Sequence, residues 1–471
     1  MKNVLLCLLI YQASGLFALL IDHQAAQAQE AELNRSPSHG FLENQVMDLD
    51  ESRFPLTWAP DDVAWSCDLQ GYGQSSPVIW DGLIFATSVE GANKERCLVT
   101  AINSKSGVVE WVHEEPAEVP AENTPMISRA APTPVCDASG LFVFFETGNL
   151  VALTHSGQVR WQRKLQGELG KFENKFGVSS SLAQVEDKLF VLLDHDASSL
   201  LVAINKTDGT YAWNAPRSNL GHSWTSPAIV RVDGQPLIVC SSIGSVDVYD
   251  PNNGGLLASQ KSVGGNSVAT PIDCGQGRFL VSSLIRPADG PVQGATKSNL
   301  MAQIVKNDGI YSIKIQWVAE NARGSFSSPI KHGDYCYWIN PQGVLFCLDA
   351  ATGKQHYAKR LPCGGCWATP LAIGQRLYCF GRDGETVVVR VGSNYEELAA
   401  GNRIWGESLS KQPVTESTSE KQSPPATTGR VASRPGLYSA IAFEEGLVVR
   451  RGDALFYIAS NSSNPIDKSI P

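Results

Sequence analysis

One phrase recurs along this chain at intervals of about 40–60 residues, and that recurrence constrains the fold more than any single residue does. Each copy opens on a small polar pair, usually followed by proline. It then runs through an apolar stretch, turns at glycine and resumes with alternating apolar residues. The clearest copy reads Ser327-Ser328-Pro329-Ile330, then Tyr335–Ile339, then Asn340-Pro341-Gln342-Gly343, then Val344–Gly353. Pro77, Pro134, Ser181, Pro227, Pro271, Pro329, Pro370 and Ala440 mark the proline position of eight copies. The long gap before Ala440 is taken up by residues 408–434. They are rich in Ser, Thr, Pro, Lys and Glu, almost free of apolar side chains, and expected to be a disordered insertion.

Within a copy the pattern is that of strands. Leu141–Phe145 and Leu189–Leu193 are short apolar runs bounded by Gly or Asp, as in strands buried on both faces. Gly148-Asn149 and Pro341-Gln342-Gly343 supply hairpin turns. Several copies then close on an Asx or Ser/Thr turn with glycine, followed by an aromatic residue. Ser106-Gly107 leads to Trp111, Ser156-Gly157 to Trp161, Asp208-Gly209 to Trp213, and Asp308-Gly309 to Trp317. These rings are assigned to the seams between neighbouring sheets, where each buries on the order of 150–250 Å². The last copy, Ser439–Ile458, lacks a fourth strand, and Val63–Leu69 has a fourth-strand pattern with no strands before it. Joining the two closes a ring and removes both exposed edges.

The repeat, with its Ser-Pro opening and its Asp-x-x-Thr-Gly-x-x-x-aromatic ending (Asp349–Tyr357), resembles the pyrroloquinoline-quinone (PQQ) type repeat over Trp65–Ser460. The resemblance implies an all-β, eight-bladed propeller of four-stranded antiparallel blades, closed by pairing of the N-terminal strand with the last blade. The expected organisation is a signal peptide at 1–28, an N-terminal extension at 29–64, the propeller at 65–460 and a tail at 461–471. One branch of such proteins contains PQQ- and Ca²⁺-dependent alcohol or sugar dehydrogenases. Another contains BamB-type assembly factors.

Composition bears on address and partners. The chain has 471 residues and a formal net charge of -9, with no long basic run, so nucleic-acid binding is not expected. Met1-Lys2-Asn3, an apolar stretch to Ile21 and Ala26-Gln27-Ala28 describe a secretory signal, so the product is expected to be periplasmic or secreted. Cys7 follows Leu6, not the small residue a lipid-attachment signal needs. No later stretch reaches the ~20 apolar residues of a membrane-spanning helix. A monomer is expected.

The resemblance implies, for the dehydrogenase branch, an adjacent cysteine pair, Glu and Asn ligands for Ca²⁺ and an Asp base above the channel. The sequence has no adjacent cysteines. Glu146 and Asn340 could stand in for the calcium ligands. Arg129, Trp224, Trp367, Arg382 and Asp383 are further candidates for the channel mouth, since they fall just before inner strands or in hairpins on the same side. Asp194-His195-Asp196 has metal-ligand character, but the preferred reading is a solvated turn. Cys363-Gly364-Gly365-Cys366 can be a disulfide or free thiols. A hairpin centred on Pro341-Gln342 would set Cys336 opposite Cys347 and permit a second bridge. Arg450-Arg451 is assigned to a hairpin tip, and His222-Ser223-Trp224 to a strand-opening turn or a ligand surface. Neither cofactor nor metal is expected, and no catalytic residue is assigned. The reading that results is a binding or scaffold module for envelope proteins. The alternatives are the PQQ and Ca²⁺ dehydrogenase and a propeller that holds carbohydrate or another small ligand in its channel.

Overall fold

The computed structural model describes residues 39–124, 127–196, 198–217, 223–261, 263, 268–283, 298–405 and 436–460. The expected signal peptide at 1–28, the expected insertion at 408–434, residues 461–471 and His222 lie outside these residues. The chain forms an eight-bladed β-propeller, each blade an antiparallel sheet whose strands follow one another outward from a central channel. Blade 1 runs from Val78–Trp80 to Val109–Pro116, and blade 7 from Leu371–Ile373 to Glu397–Arg403. Among the described residues no helix is long and apolar enough to cross a membrane.

Eight apolar clusters hold the ring, and each draws its residues from two adjacent blades. Val78, Phe85 and Val99 of blade 1 meet Leu141, Val143 and Val151 of blade 2 in one of them. Trp65, Cys67 and Leu455 of blade 8 meet Ile79, Ile84 and Ile102 of blade 1 in another. A blade is therefore packed on both faces, which is why its middle strands read as unbroken apolar runs. The last blade is completed as expected: Val63–Asp68 pairs antiparallel with Ala454–Ala459, two residues earlier than the Trp65 boundary.

Two repeated contacts stitch the seams. In the first, an indole on an outer strand docks onto the glycine turn of the next blade. Trp65, Trp111, Trp161, Trp213 and Trp317 donate Nε1–H to the carbonyls of Ser104, His155, Lys206, Pro251 and Ala350 at 2.8–3.0 Å. The ring lies over Gly107, Gly157, Gly209, Gly254 and Gly353, all at φ between 70° and 84°. A Cβ there would come within 2.5–2.9 Å of the indole. Trp65 and Trp317 are buried, whereas Trp111, Trp161 and Trp213 keep one edge in water.

The second contact is a belt around the channel. The backbone N–H of Ser76 donates to Oγ1 of Thr133, Thr133 to Ser181, Ser181 to Ser226, Ser226 to Thr270, Thr270 to Ser328, and Ser328 to Thr369, each at 2.9–3.0 Å. The small polar residue before each proline is thus a clamp on the preceding blade. The belt corrects the third copy: Ser181 is its clamp, and Leu182, just before the strand Ala183–Val185, stands at the proline position. In blade 8 the equivalent hydroxyl, Ser439 Oγ, is buried without a partner.

The N-terminal extension carries structure that its sequence does not announce. The His39 carbonyl accepts from Cys136 N–H of blade 2, and the Gln45 and Met47 carbonyls accept from Ala372 and Gly374 of blade 7. Val46–Met47 runs parallel to Leu371–Ile373 as a fifth, innermost strand of blade 7. Between these anchors the chain turns at Leu42 and Asn44, both at positive φ. It then leaves beneath blades 7 and 8, where Arg376, Tyr378 and Asn402 donate to the carbonyls of Phe54, Pro55 and Leu56 at 2.8–3.0 Å.

Candidate binding cup at the channel mouth

Inner strands point alternate side chains into the channel, so the residue two places before each clamp shares its face. In blades 4, 6 and 7 those residues are Trp224, Phe326 and Trp367; in blades 1, 2, 3 and 5 they are Gln74, Ala131, Ser179 and Val268. All seven line a cavity of about 500 Å³ at one mouth of the channel, and Phe41 and Leu42 of the N-terminal turn line it as well. The extension reaches them from the opposite face. The channel is therefore a cup with a floor made by the chain's own N-terminal segment.

Two aromatic groups face each other across this cup. Phe176 and Trp224 have ring centroids 5.5 Å apart on one side. On the other, Phe326, Trp367 and Tyr438 form a continuous arc with successive centroids 5.5 Å apart. Tyr438 replaces an aliphatic residue in the cup because the pairing of Leu437–Phe443 slips between Leu437 and Ser439. Its hydroxyl meets that of Tyr72 at 2.8 Å, and burial together with Tyr438 pushes the Tyr72 phenol up.

Arg382 lines the cup with its guanidinium 4.7 Å from the Trp367 ring. Arg129 borders it, lying 3.6 Å from the Tyr72 ring with a buried Nε that has no partner. Trp224, Trp367 and Arg382 thus line one cavity, and Arg129 lies outside its lining. Asp383 is exposed beside Arg382 and outside the lining. Arg450-Arg451 does end a hairpin strand, Arg451 pairing with Ala454 across Gly452-Asp453, but Arg450 does not face water. It is fully buried near the seam of blades 8 and 1, donates from Nη2 to the Thr87 carbonyl at 2.8 Å, and leaves Nε and Nη1 without partners. Burial draws it down to about 10, so it remains charged at neutral pH.

The remaining candidates are used structurally. Glu146 is buried against Lys94 Nζ at 3.1 Å and accepts twice from Ala130 N–H at 3.0 Å, so it faces the seam of blades 1 and 2. Asn340 caps its own turn, accepting from Gln342 and Val344 N–H at 3.0 and 2.9 Å. The side chains of Asp194-His195-Asp196 diverge. Asp194 pairs with buried Arg217 at 2.8 Å, His195 is buried with its imidazole drawn down by that burial, and Asp196 is exposed. Among the described residues no three His, Cys, Asp or Glu side chains stand together as a metal site.

The Cys336–Cys347 expectation is also corrected. All ten described cysteines are free thiols. Cys336 pairs with Leu348, and Cys347 with Tyr337, one residue away from the expected register. That slip sends the two thiols to opposite faces, Cys336 to the seam of blades 5 and 6 and Cys347 to that of blades 6 and 7. Cys363 and Cys366 do approach each other, both within 4.0 Å of the Gly364 carbonyl oxygen. The contact with Cys363, reinforced by burial, raises the Cys366 thiol.

Residues missed in the sequence are Phe41, Leu42, Tyr72, Phe176, Phe326 and Tyr438. The clamp spacing would have found Phe326, which stands two places before Ser328 as Trp224 and Trp367 stand before Ser226 and Thr369.

A ring of eight repeat-built four-stranded blades defines a β-propeller of the quinoprotein-like class. The family described as outer membrane protein assembly factor BamB matches residues 56–174 and 171–356, and the chain belongs to it. No curated protein matches the chain. Among solved structures, BamB from Moraxella catarrhalis is similar, with a TM-score of 0.56 at 12% identity over 85% of this chain and 98% of that one. Quinohemoprotein alcohol dehydrogenase from Comamonas testosteroni has a TM-score of 0.50 at 12% identity, covering 88% of this chain and 78% of its own. The computationally designed Ika8 protein gives 0.52 at 9% identity, covering 84% and 99%. At such identities the likeness establishes the fold alone.

Proposed function

We propose that this protein is an exported binding module of the cell envelope that holds a partner protein through the aromatic cup, without chemistry of its own. The observation that carries this reading is the cup itself: one mouth, a floor supplied by Phe41 and Leu42, and walls of Trp224, Trp367 and Tyr438. Rigid blades hold such a surface while the loops above it vary, which suits recognition. The family description, an outer membrane assembly factor, is consistent with a partner in the envelope and with a periplasmic or secreted address.

The dehydrogenase alternative asks for PQQ and Ca²⁺, and the residues present do not fit them. Glu146 is committed to Lys94, Asn340 to its own turn, and Cys363 and Cys366 are separated by two glycines. No step is derived through either group.

The purified chain, immobilised and exposed to envelope extract with a photo-crosslinker placed beside Trp367, is expected to capture a reproducible protein that Trp224→Ala and Trp367→Ala release. Capture unaffected by both substitutions would overturn the cup as the recognition surface. Saturable PQQ binding with Ca²⁺ and reduction of a dye by an alcohol would overturn the non-catalytic reading.

A further inference from the structure

Elsewhere in the interior, buried cations have carboxylate partners: Lys94 has Glu146, and Arg217 has Asp194 and Asp247. The wall of the cup formed by blades 7, 8 and 1 is different. Among the described residues Arg129, Arg382 and Arg450 have no carboxylate partner, although the chain as a whole carries a net charge of -9. Arg450 is sealed behind the wall with two unused nitrogens, and the buried Nε of Arg129 is unused as well. Arg129 and Arg382 rest on the rings of Tyr72 and Trp367, and Tyr72 is tied to Tyr438 by their hydroxyls. Arg129 and Arg382 are half-buried over rings at 3.6 and 4.7 Å, whose π faces attract them, and Arg450, withdrawn from water, has no carboxylate in contact.

We infer that the cup recognises a partner segment that presents an aromatic side chain next to a carboxylate. The ring would enter between the Phe176–Trp224 pair and the Trp367–Tyr438 arc, and the carboxylate would turn toward Arg382 and Arg129, with Arg450 adding positive potential from behind. Offset or edge-on packing against these rings is what a guest aromatic prefers. A cavity of about 500 Å³ admits one large side chain with its flanking backbone and excludes a folded domain. Charge complementarity decides against a basic segment. This inference rests on the cup being the recognition surface, and adds what it recognises.

The test uses the full chain and three capped tripeptides in isothermal titration: acetyl-Asp-Phe-Asp-amide, acetyl-Asn-Phe-Asn-amide and acetyl-Asp-Ala-Asp-amide. The first is expected to bind at least tenfold more tightly than either other, with an advantage over the amide form that shrinks as salt is raised. Arg382→Gln and Arg129→Gln are each expected to weaken the acidic aromatic peptide several-fold and to leave the neutral one unchanged. Arg450 is avoided because its substitution threatens folding. Equal binding of the acidic and neutral aromatic peptides, or indifference to Arg382→Gln, would overturn the inference. So would indole-3-acetate binding as tightly as the peptide, which would make this a site for small aromatic acids. Peptide binding with no protein captured from envelope extract would instead count against the envelope partner while leaving the chemistry of the cup intact.

Discussion

Glu115 stands near the end of the outer strand Val109–Pro116, buried, with Oε1 lacking any partner. Burial pushes its carboxyl up to about 7 from an ordinary value of 4.5. A group raised in this way favours folding while it is protonated, and that contribution is lost as the pH climbs through about 7. Glu115→Gln is therefore expected to match the parent chain near pH 4 and to be more stable at pH 8, by about 2 kcal/mol. Urea melts at the two pH values measure the difference, and an equal shift at both would contradict the assignment. The sequence showed one more Glu in a polar strand and gave no hint of this. The indoles were legible because tryptophan after an Asx-Gly turn has a single economical place in a propeller. A carboxylate's burial depends on a neighbouring blade that arrives from elsewhere in the chain.

The hairpin joining Tyr335–Ile339 to Val344–Asp349 illustrates how an element can be placed correctly and still be misread. Its turn has three residues between the paired Asn340 and Val344, ending on Gly343 at φ +74°. A two-residue turn at Pro341-Gln342 would have faced Cys336 toward Cys347; the extra residue rotates the register and separates them. Oxidation of the folded chain is accordingly expected to leave Cys336 and Cys347 unlinked and to join Cys363 to Cys366. Peptide mapping after diamide treatment and alkylation distinguishes the two pairs, and a Cys336–Cys347 peptide would show that the register is wrong. The spacing of two glycines brought the second pair close enough to touch, so that half of the reading was accessible from the sequence.

The closed ring was legible because a copy lacking its last strand and a stray strand at the other end of the propeller describe one blade between them. Trp65 sits at that junction, hydrogen-bonded to Ser104, stacked on Tyr457 at 5.6 Å and lying over Gly107. Trp65→Ala is expected to cost about 3–5 kcal/mol. It should also raise amide exchange together in Val63–Asp68 and Ala454–Ala459, because both belong to the sheet it locks. Exchange confined to one of the two strands would mean that the blade does not behave as a unit. The floor of the cup was not legible. Residues 39–47 pair over only two positions, Val46 and Met47, and their other contacts, the His39 ring against Trp80 and backbone bonds to blades 2 and 7, follow no repeat pattern.

That floor has a bearing on biogenesis. The segment that forms it is made before any blade, yet its anchors, Cys136 and Ala372, belong to the second and seventh blades. This stretch cannot seat until both blades have formed, so it docks late in folding. A truncated product that stops short of blade 7 would lose Trp367, Arg382 and Tyr438 from the walls together with the strand on which the floor is seated.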